Sequence, residues 1–263
     1  MGDVVELVVV GGGKMGEALI GGIIGAGWAE PSAMVVVETD ADRRQVLAEA
    51  FPGLVVTDQL VAAAGALVAV KPQYVVDTCT ALGALGVGRV LSIAAGVRIA
   101  TMEAALPTGT AVVRAMPNTP ALVGMGAAAI AAGAAADDAD MSWAESILGA
   151  VGIVARVTED QLDAVTGLSG SGPAYVFLVA EALIDAGVLQ GLTRPVATDL
   201  AVQTLRGAAE LLATGTPAAE LRANVTSPGG ATAAGLLALE RAAVRAAFAD
   251  AVAASADRGR QLG

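Results

Sequence analysis

Two glycine-rich stretches hold most of the residues whose types and spacing suit chemistry. GGGKMG (11–16) places Gly11, Gly13 and Gly16 in the order G-x-G-x-x-G. NVTSPGGATAAG (224–235) sets Ser227, Pro228, Gly229, Gly230 and Thr232 inside sequence that otherwise has helical character. A glycine loop that opens a helix presents backbone N–H groups without partners of their own, and these suit a phosphate or a carboxylate. Taken alone the second stretch is ambiguous, because two successive helices also need Pro and Gly at the turn between them. The first stretch has more context. It follows the β-branched run VVELVVV (4–10) and opens MGEALIGGIIGAGW (15–28), whose apolar spacing is helical. In a dinucleotide site the first glycine makes the tight turn. The second lets a pyrophosphate approach the backbone, and the third lets helix and strand pack closely. The cofactor turn is therefore assigned to Gly11, Gly12, Gly13, Lys14, Met15 and Gly16.

Three more segments end strand-like runs, where ligands of parallel α/β sheets lie. AMVVVE (33–38) closes on Glu38, 22 residues after Gly16. An acid there hydrogen-bonds the adenosine ribose 2′-hydroxyl and favours NAD, whereas Arg43 or Arg44 could hold the 2′-phosphate of NADP. The two arginines suit a solvated helix face equally well, so NADPH and NADH both stay open. AVKPQ (69–73) brings Ala69, Val70, Lys71 and Pro72 to the end of the fourth strand, with Lys71 either lining a cofactor cleft or lying on the surface. RAMPNTP (114–120) places Asn118 similarly, in a loop stiffened by Pro117 and Pro120, as an inward amide or as part of a rigid turn.

The elements that must position these groups alternate along the chain. LVV (54–56), ALVAV (66–70), RVLSIAA (89–95) and TAVVRAM (110–116) continue the strand series, with helix-like pieces between them. GMGAAAIAAG (124–133) and GIVARV (152–157) add two more around the helical DDADMSWAESILGAV (137–151). Buried apolar runs alternating with helices indicate a parallel sheet covered on both faces. After residue 158 no strand signal follows. Helical patterns cover 158–168, 171–187, 193–215 and the whole stretch after the second glycine loop. The expected fold class is α/β: an N-terminal Rossmann-type doubly wound parallel sheet over 1–158, then an all-α C-terminal domain over 159–263.

Charge and composition exclude several classes. The chain of 263 residues carries 26 acidic and 15 basic side chains, a net charge of −11, and has no basic tract. Nucleic acid and anionic membrane are poor partners for such a surface. Hydrophobic residues make up 55% of the chain, and the mean hydropathy of +0.67 raises the question of a membrane. The longest uncharged run, between Arg114 and Asp137, is broken by MPNTP and several glycines, and other apolar runs look shorter or interrupted by charge, so no membrane span is expected. The N-terminus has two acids and no basic flank, which points to a cytoplasmic location. Cys79 is the single cysteine and histidine is absent, so neither a disulfide framework nor a metal site is expected.

The absences also bear on the reaction. Reducing a carbonyl generally calls for a proton donor, often His, Lys or Tyr. The helical part contains neither His nor Lys, and its one tyrosine is Tyr175. A protonated imine already carries its proton and positive charge, so hydride delivery gives a neutral amine directly. Such a site needs positioning and exclusion of water more than a strong acid.

At this point the sequence resembles a known family. GGGKMGEALIGG, VAVKPQ, VVRAMPNTPALVGMG, QLDAVTGLSGSGPAYVFLVAEALIDAGV, GLTRPVATDLAVQTLRGAAELL and LRANVTSPGGATAAGLLALE together are similar to the pyrroline-5-carboxylate reductases, from the first strand nearly to the C-terminus. The resemblance implies reduction of Δ1-pyrroline-5-carboxylate to L-proline, the last step of proline synthesis, with NADPH or NADH. The alternative is a related reductase acting on another cyclic imino acid. It implies a homodimer through interlocked helical domains, assembled further into a ring such as a decamer. It implies that Ser227, Gly229, Gly230, Ala231 and Thr232 receive the substrate carboxylate through backbone N–H groups and the Ser hydroxyl, with Thr232 near the ring nitrogen as the catalytic candidate. It further implies that Ser169 to Pro173, with Ser171, border the nicotinamide, that Asn118 lies near the nicotinamide ribose, and that Lys71 and Pro72 belong to the cofactor loop. Many relatives carry a second Thr where this chain has Ala231, which leaves Thr232 as the only hydroxyl directly after the glycines.

Overall fold

A computed structural model describes residues 5–262. Two compact units divide the chain, one of Met1–Ser171 with Ala253–Gly263, the other of Gly172–Val252.

The first unit is built on eight strands: β1 (Leu7–Val10), β2 (Met34–Val37), β3 (Val55–Thr57), β4 (Gly65–Val68), β5 (Arg89–Ser92), β6 (Ala111–Met116), β7 (Gly126–Ala132) and β8 (Gly152–Arg156). Their spatial order is β3-β2-β1-β4-β5-β6-β7-β8, with the order reversing between β1 and β4. Every pairing is parallel except β6 with β7. The sequence pattern indicated a parallel sheet throughout, and this one pair departs from it. The connection from β6 to β7 is only a 3-10 turn, Thr119–Val123, too short for the dozen or more residues that a parallel crossover needs.

Helices α1 (Lys14–Gly25), α2 (Ala41–Ala50), α3 (Val75–Ala84), α4 (Ile99–Ala104), α5 (Asp138–Gly149) and α6 (Leu162–Val165) complete this unit's layers. The strands are buried on both faces. Leu7 and Val9 join one apolar cluster with Leu19, Ile20 and Ile23 of α1 and Ile147 of α5. Val8 and Val10 join another with Val75, Cys79 and Leu82 of α3 and Met102 of α4. Side chains alternate across a strand, so an unbroken valine-leucine run supplies both clusters at once. Each such large side chain contributes roughly 1.5–3 kcal/mol on burial.

The second unit contains α7 (Gly172–Leu189), α8 (Arg194–Ala213), α9 (Ala218–Asn224) and α10 (Ala231–Arg241). It also takes the first part of α11 (Val244–Leu262). Pro195 sits in the first turn of α8, where its missing N–H costs nothing. Helices α7 and α8 approach closely through small residues: a Cβ on Gly187 would lie 3.1 Å from that of Ala197. The pattern after the second glycine loop suggested one helix, but the chain breaks at Ala243, whose φ is +55°. No Gly, Pro or Asn marks this break, which is why the sequence hides it. An alanine in the left-handed region costs about 1–2 kcal/mol.

The helical stretch Glu159–Leu189, 31 residues with mean hydropathy 1.5, is long and apolar enough to cross a membrane. The sequence reading passed over this run. Its π-helical turn at Thr166–Gly170 and the acids at its start disguise its length.

Candidate active site

The first site forms where β1 ends. Gly11 turns with φ +104°, and a Cβ on it would lie 2.6 Å from the carbonyl oxygen of Ala69. A Cβ on Gly16 would overlap the carbonyl oxygen of Gly11, so α1 can pack here only with glycine. Gly13 is different. It caps α1 without a side-chain hydrogen bond, and nothing lies within 4 Å of where its Cβ would be. The protein fills the space beside the first and third glycines and leaves the second open. An uncapped helix start of this kind carries unpaired N–H groups and the positive end of the helix dipole. A dinucleotide pyrophosphate fits these residues.

Glu38 lies one residue beyond β2. Its Oε2 accepts the N–H of Gly12 at 2.8 Å, and its Oε1 accepts the N–H of Asp40 at 3.0 Å. Arg43 donates through Nε to the Gly12 carbonyl at 2.6 Å and through Nη2 to Glu17 at 2.5 Å. Arg44 donates to the carbonyls of Glu38 and Thr39, each at 2.9 Å. Ala69 and Val70 follow β4 and are half-buried, while Lys71 and Pro72 are exposed at the 3-10 turn Pro72–Tyr74.

Asn118 is buried beyond β6, and its amide is fully engaged. Its Nδ2 donates to the carbonyl and hydroxyl oxygens of Ser169, at 3.2 and 3.1 Å, and its Oδ1 accepts the N–H of Ala127 at 2.9 Å. It fastens the loop after β6 to the π-helical turn Thr166–Gly170. Ser171 shares a hydrogen bond of 2.7 Å with Ser255. The sequence reading missed the ion pair behind this segment. Arg114, buried, meets Glu159 at 3.0 Å, and the same Glu159 oxygen accepts the Ile99 N–H at 2.7 Å. Glu159 lies at the start of the helical pattern 158–168, and an arginine inside the apolar run 110–116 was the available signal of its partner. Cys79 is fully buried, which raises its thiol pKa to about 11, so it is a core side chain and not a nucleophile.

The second site lies wholly in the helical unit. Gly229 turns with φ +69° and has nothing within 4 Å of its Cβ position. Gly230 caps α10 without a side-chain hydrogen bond, and a Cβ on it would overlap Ser227 Oγ. The Gly230 N–H closes the turn on the Ser227 carbonyl at 3.0 Å. Ser227, Ala231 and Thr232 are exposed. The loop thus repeats the logic of the first site: glycines shape it, and the helix that follows starts uncapped. Among the described residues, no cluster of His, Cys, Asp and Glu could hold a metal ion.

A glycine turn at the carboxyl ends of a parallel sheet, opening an uncapped helix beside an acid from the second strand, defines a dinucleotide-dependent oxidoreductase, here followed by a helical unit. Residues 6–96 match the family described as NADP oxidoreductase coenzyme F420-dependent, and residues 159–262 match that of pyrroline-5-carboxylate reductase dimerisation. The chain is 42% identical to the pyrroline-5-carboxylate reductase of Mycobacterium leprae, over 100% of this chain and 98% of the relative. It superposes on the pyrroline-5-carboxylate reductase of Coxiella burnetii with a TM-score of 0.91, 35% identity and 99% coverage of both chains. For the Plasmodium falciparum pyrroline carboxylate reductase, solved with NADP bound, the TM-score is 0.85 and the identity 29%, again over 99% of each chain. The chain belongs to the pyrroline-5-carboxylate reductase family.

Proposed function

We propose that this protein reduces the C=N bond of Δ1-pyrroline-5-carboxylate to L-proline with NAD(P)H. The observation that carries the reading is the pair of glycine-shaped, uncapped helix starts, one suited to a pyrophosphate and the other to a carboxylate, on a chain of this family. When bound, the reduced nicotinamide supplies the hydride that the imine carbon accepts. Gly13, Lys14, Met15 and Gly16, at the uncapped start of α1, would hold the pyrophosphate through backbone N–H groups, while Gly11 and Gly12, whose N–H groups are donated to the Val37 carbonyl and to Glu38, shape the turn. Glu38 takes the adenosine ribose, and Arg43 contributes by backing the turn at the Gly12 carbonyl. Ala69, Val70, Lys71 and Pro72 form the cofactor loop, while Asn118 and Ser171 order the segment that borders the nicotinamide.

Ser227, Gly229, Gly230 and Ala231 receive the substrate carboxylate through the start of α10. Thr232 directs its hydroxyl to the ring nitrogen, holding the proton that stays on the product amine. The working division of the chain is 1–158 for cofactor and 159–263 for substrate and dimerisation. The helical part pairs with a second copy, and such dimers assemble into a ring such as a decamer. The apolar stretch Glu159–Leu189 then meets protein and not lipid. The enzyme works in the cytoplasm, with no nucleic-acid or membrane partner.

The test is a panel of initial rates with NADH and NADPH. Pyrroline-5-carboxylate is expected to outpace the six-membered imino acid and keto acids by at least tenfold. A preference for keto acids would overturn the imine chemistry.

A further inference from the structure

Resting on the cofactor site just proposed, we infer that Glu38 makes this chain select the dinucleotide without a 2′-phosphate, NADH over NADPH. Sequence alone leaves the choice open, because an acid and two arginines lie close together beyond β2. Their side-chain partners decide it.

The Glu38 carboxylate is pinned on both oxygens. One accepts the Gly12 N–H at 2.8 Å, which fixes it against the cofactor turn itself, and the other accepts the Asp40 N–H at 3.0 Å. A carboxylate so held is an acceptor pair of fixed position, suited to ribose hydroxyl donors. A phosphate ester on the same ribose replaces a donor with a dianion. Two negative groups at hydrogen-bonding range repel strongly in a part-buried site.

Both arginines already have protein partners. Arg43 spends its Nε on the Gly12 carbonyl and its Nη2 on Glu17, with only 26% of the side chain exposed. Arg44 spends its Nη1 on the carbonyls of Glu38 and Thr39 and leans toward Asp58 at 3.9 Å, with 25% exposed. Both guanidiniums brace the turn and the strand end from the protein side. Asp40 and Asp42 at the start of α2 add further negative charge to the same rim. The arginines counted from sequence as a possible phosphate clamp thus help hold the acid that excludes it.

Equilibrium binding to the intact protein tests this without any turnover. Isothermal titration with NADH, NADPH, 5′-AMP and 2′,5′-ADP would be run on wild type, Glu38→Gln and Glu38→Ser, each checked for an unchanged melting temperature. Wild type is expected to bind NADH at least ~10-fold more tightly than NADPH, and 5′-AMP more tightly than 2′,5′-ADP. Glu38→Gln removes the charge and one of the two acceptors, so NADH affinity should fall while NADPH affinity rises, and the NADH-to-NADPH preference should shrink at least ~5-fold. Glu38→Ser should bring the two dinucleotides to near-equal affinity. Wild type binding NADPH as tightly as NADH, or a Glu38→Gln variant with an unchanged ratio, overturns the inference and leaves the reductase reading standing. Failure of wild type to bind either dinucleotide overturns both.

Discussion

The sheet-based unit and the helical unit bury their apolar residues to very different extents. In the first, strands and helices enclose two clusters of fully buried Leu, Ile, Val and Met side chains. In Gly172–Val252 only Ala197 and Ala201 are buried. Phe177, Leu178 and Leu189 of α7 are 63%, 65% and 84% exposed, and Leu200 of α8 is 56% exposed. Large apolar side chains exposed in such number on one segment are a feature of interaction surfaces. The sheet unit is complete within one chain, while the helical unit has the surface of half a core, as expected of a segment matching a dimerisation family. The same contrast runs through the two glycine loops. The first has its acid, arginines and asparagine fixed by internal hydrogen bonds, whereas Ser227 and Thr232 stand exposed.

That contrast can be broken or sharpened by substitution. The largest effect is expected from Gly16→Val, whose side chain would run into the Gly11 carbonyl. Dinucleotide binding should vanish in titration while the oligomeric mass by light scattering is unchanged, confining the damage to the sheet unit. Next, Phe177→Asp puts a charge on a face that is exposed in one chain. If that face is buried between copies, the mass should fall to that of one chain, at a cost of ~3 kcal/mol or more in association; an unchanged dimer would show that α7 faces solvent. Ser227→Ala removes one hydroxyl from the substrate loop and should raise KM about tenfold with kcat within twofold. The smallest effect concerns the core. The Cys79 thiol has a pKa of 9.0 when unperturbed and about 11 in the folded chain. Well below pH 9 it is neutral in both folded and unfolded states. Between those values only the unfolded thiol ionises, so stability falls as pH rises. The urea midpoint should therefore drop more between pH 8 and pH 10 in wild type than in Cys79→Ala.

What the sequence reveals follows the same division. All eight strands are legible, because uninterrupted runs such as LVVV and MVVV leave no other buried arrangement beside glycine-marked turns. The antiparallel direction of β7 was missed although its signal was present: the seven residues between the runs 110–116 and 124–133 are too few for a parallel crossover. The glycine turn was legible because strand, spacing and helix agree. The roles of Arg43, Arg44 and Asn118 were not, because each depends on which of several partners its side chain reaches across 5 to 51 positions of sequence. In the helical unit the missing break at Ala243 has the simplest cause: alanine promotes helix, and no local residue marks the turn.

The most direct test of the proposed chemistry is the kcat of Thr232→Ala at saturating pyrroline-5-carboxylate and NAD(P)H, beside Thr232→Ser. Loss of the hydroxyl at the start of α10 should lower kcat by roughly 100-fold, and serine should restore most of it. Wild-type turnover in Thr232→Ala would contradict the account, because the loop would then bind substrate without taking part in its reduction.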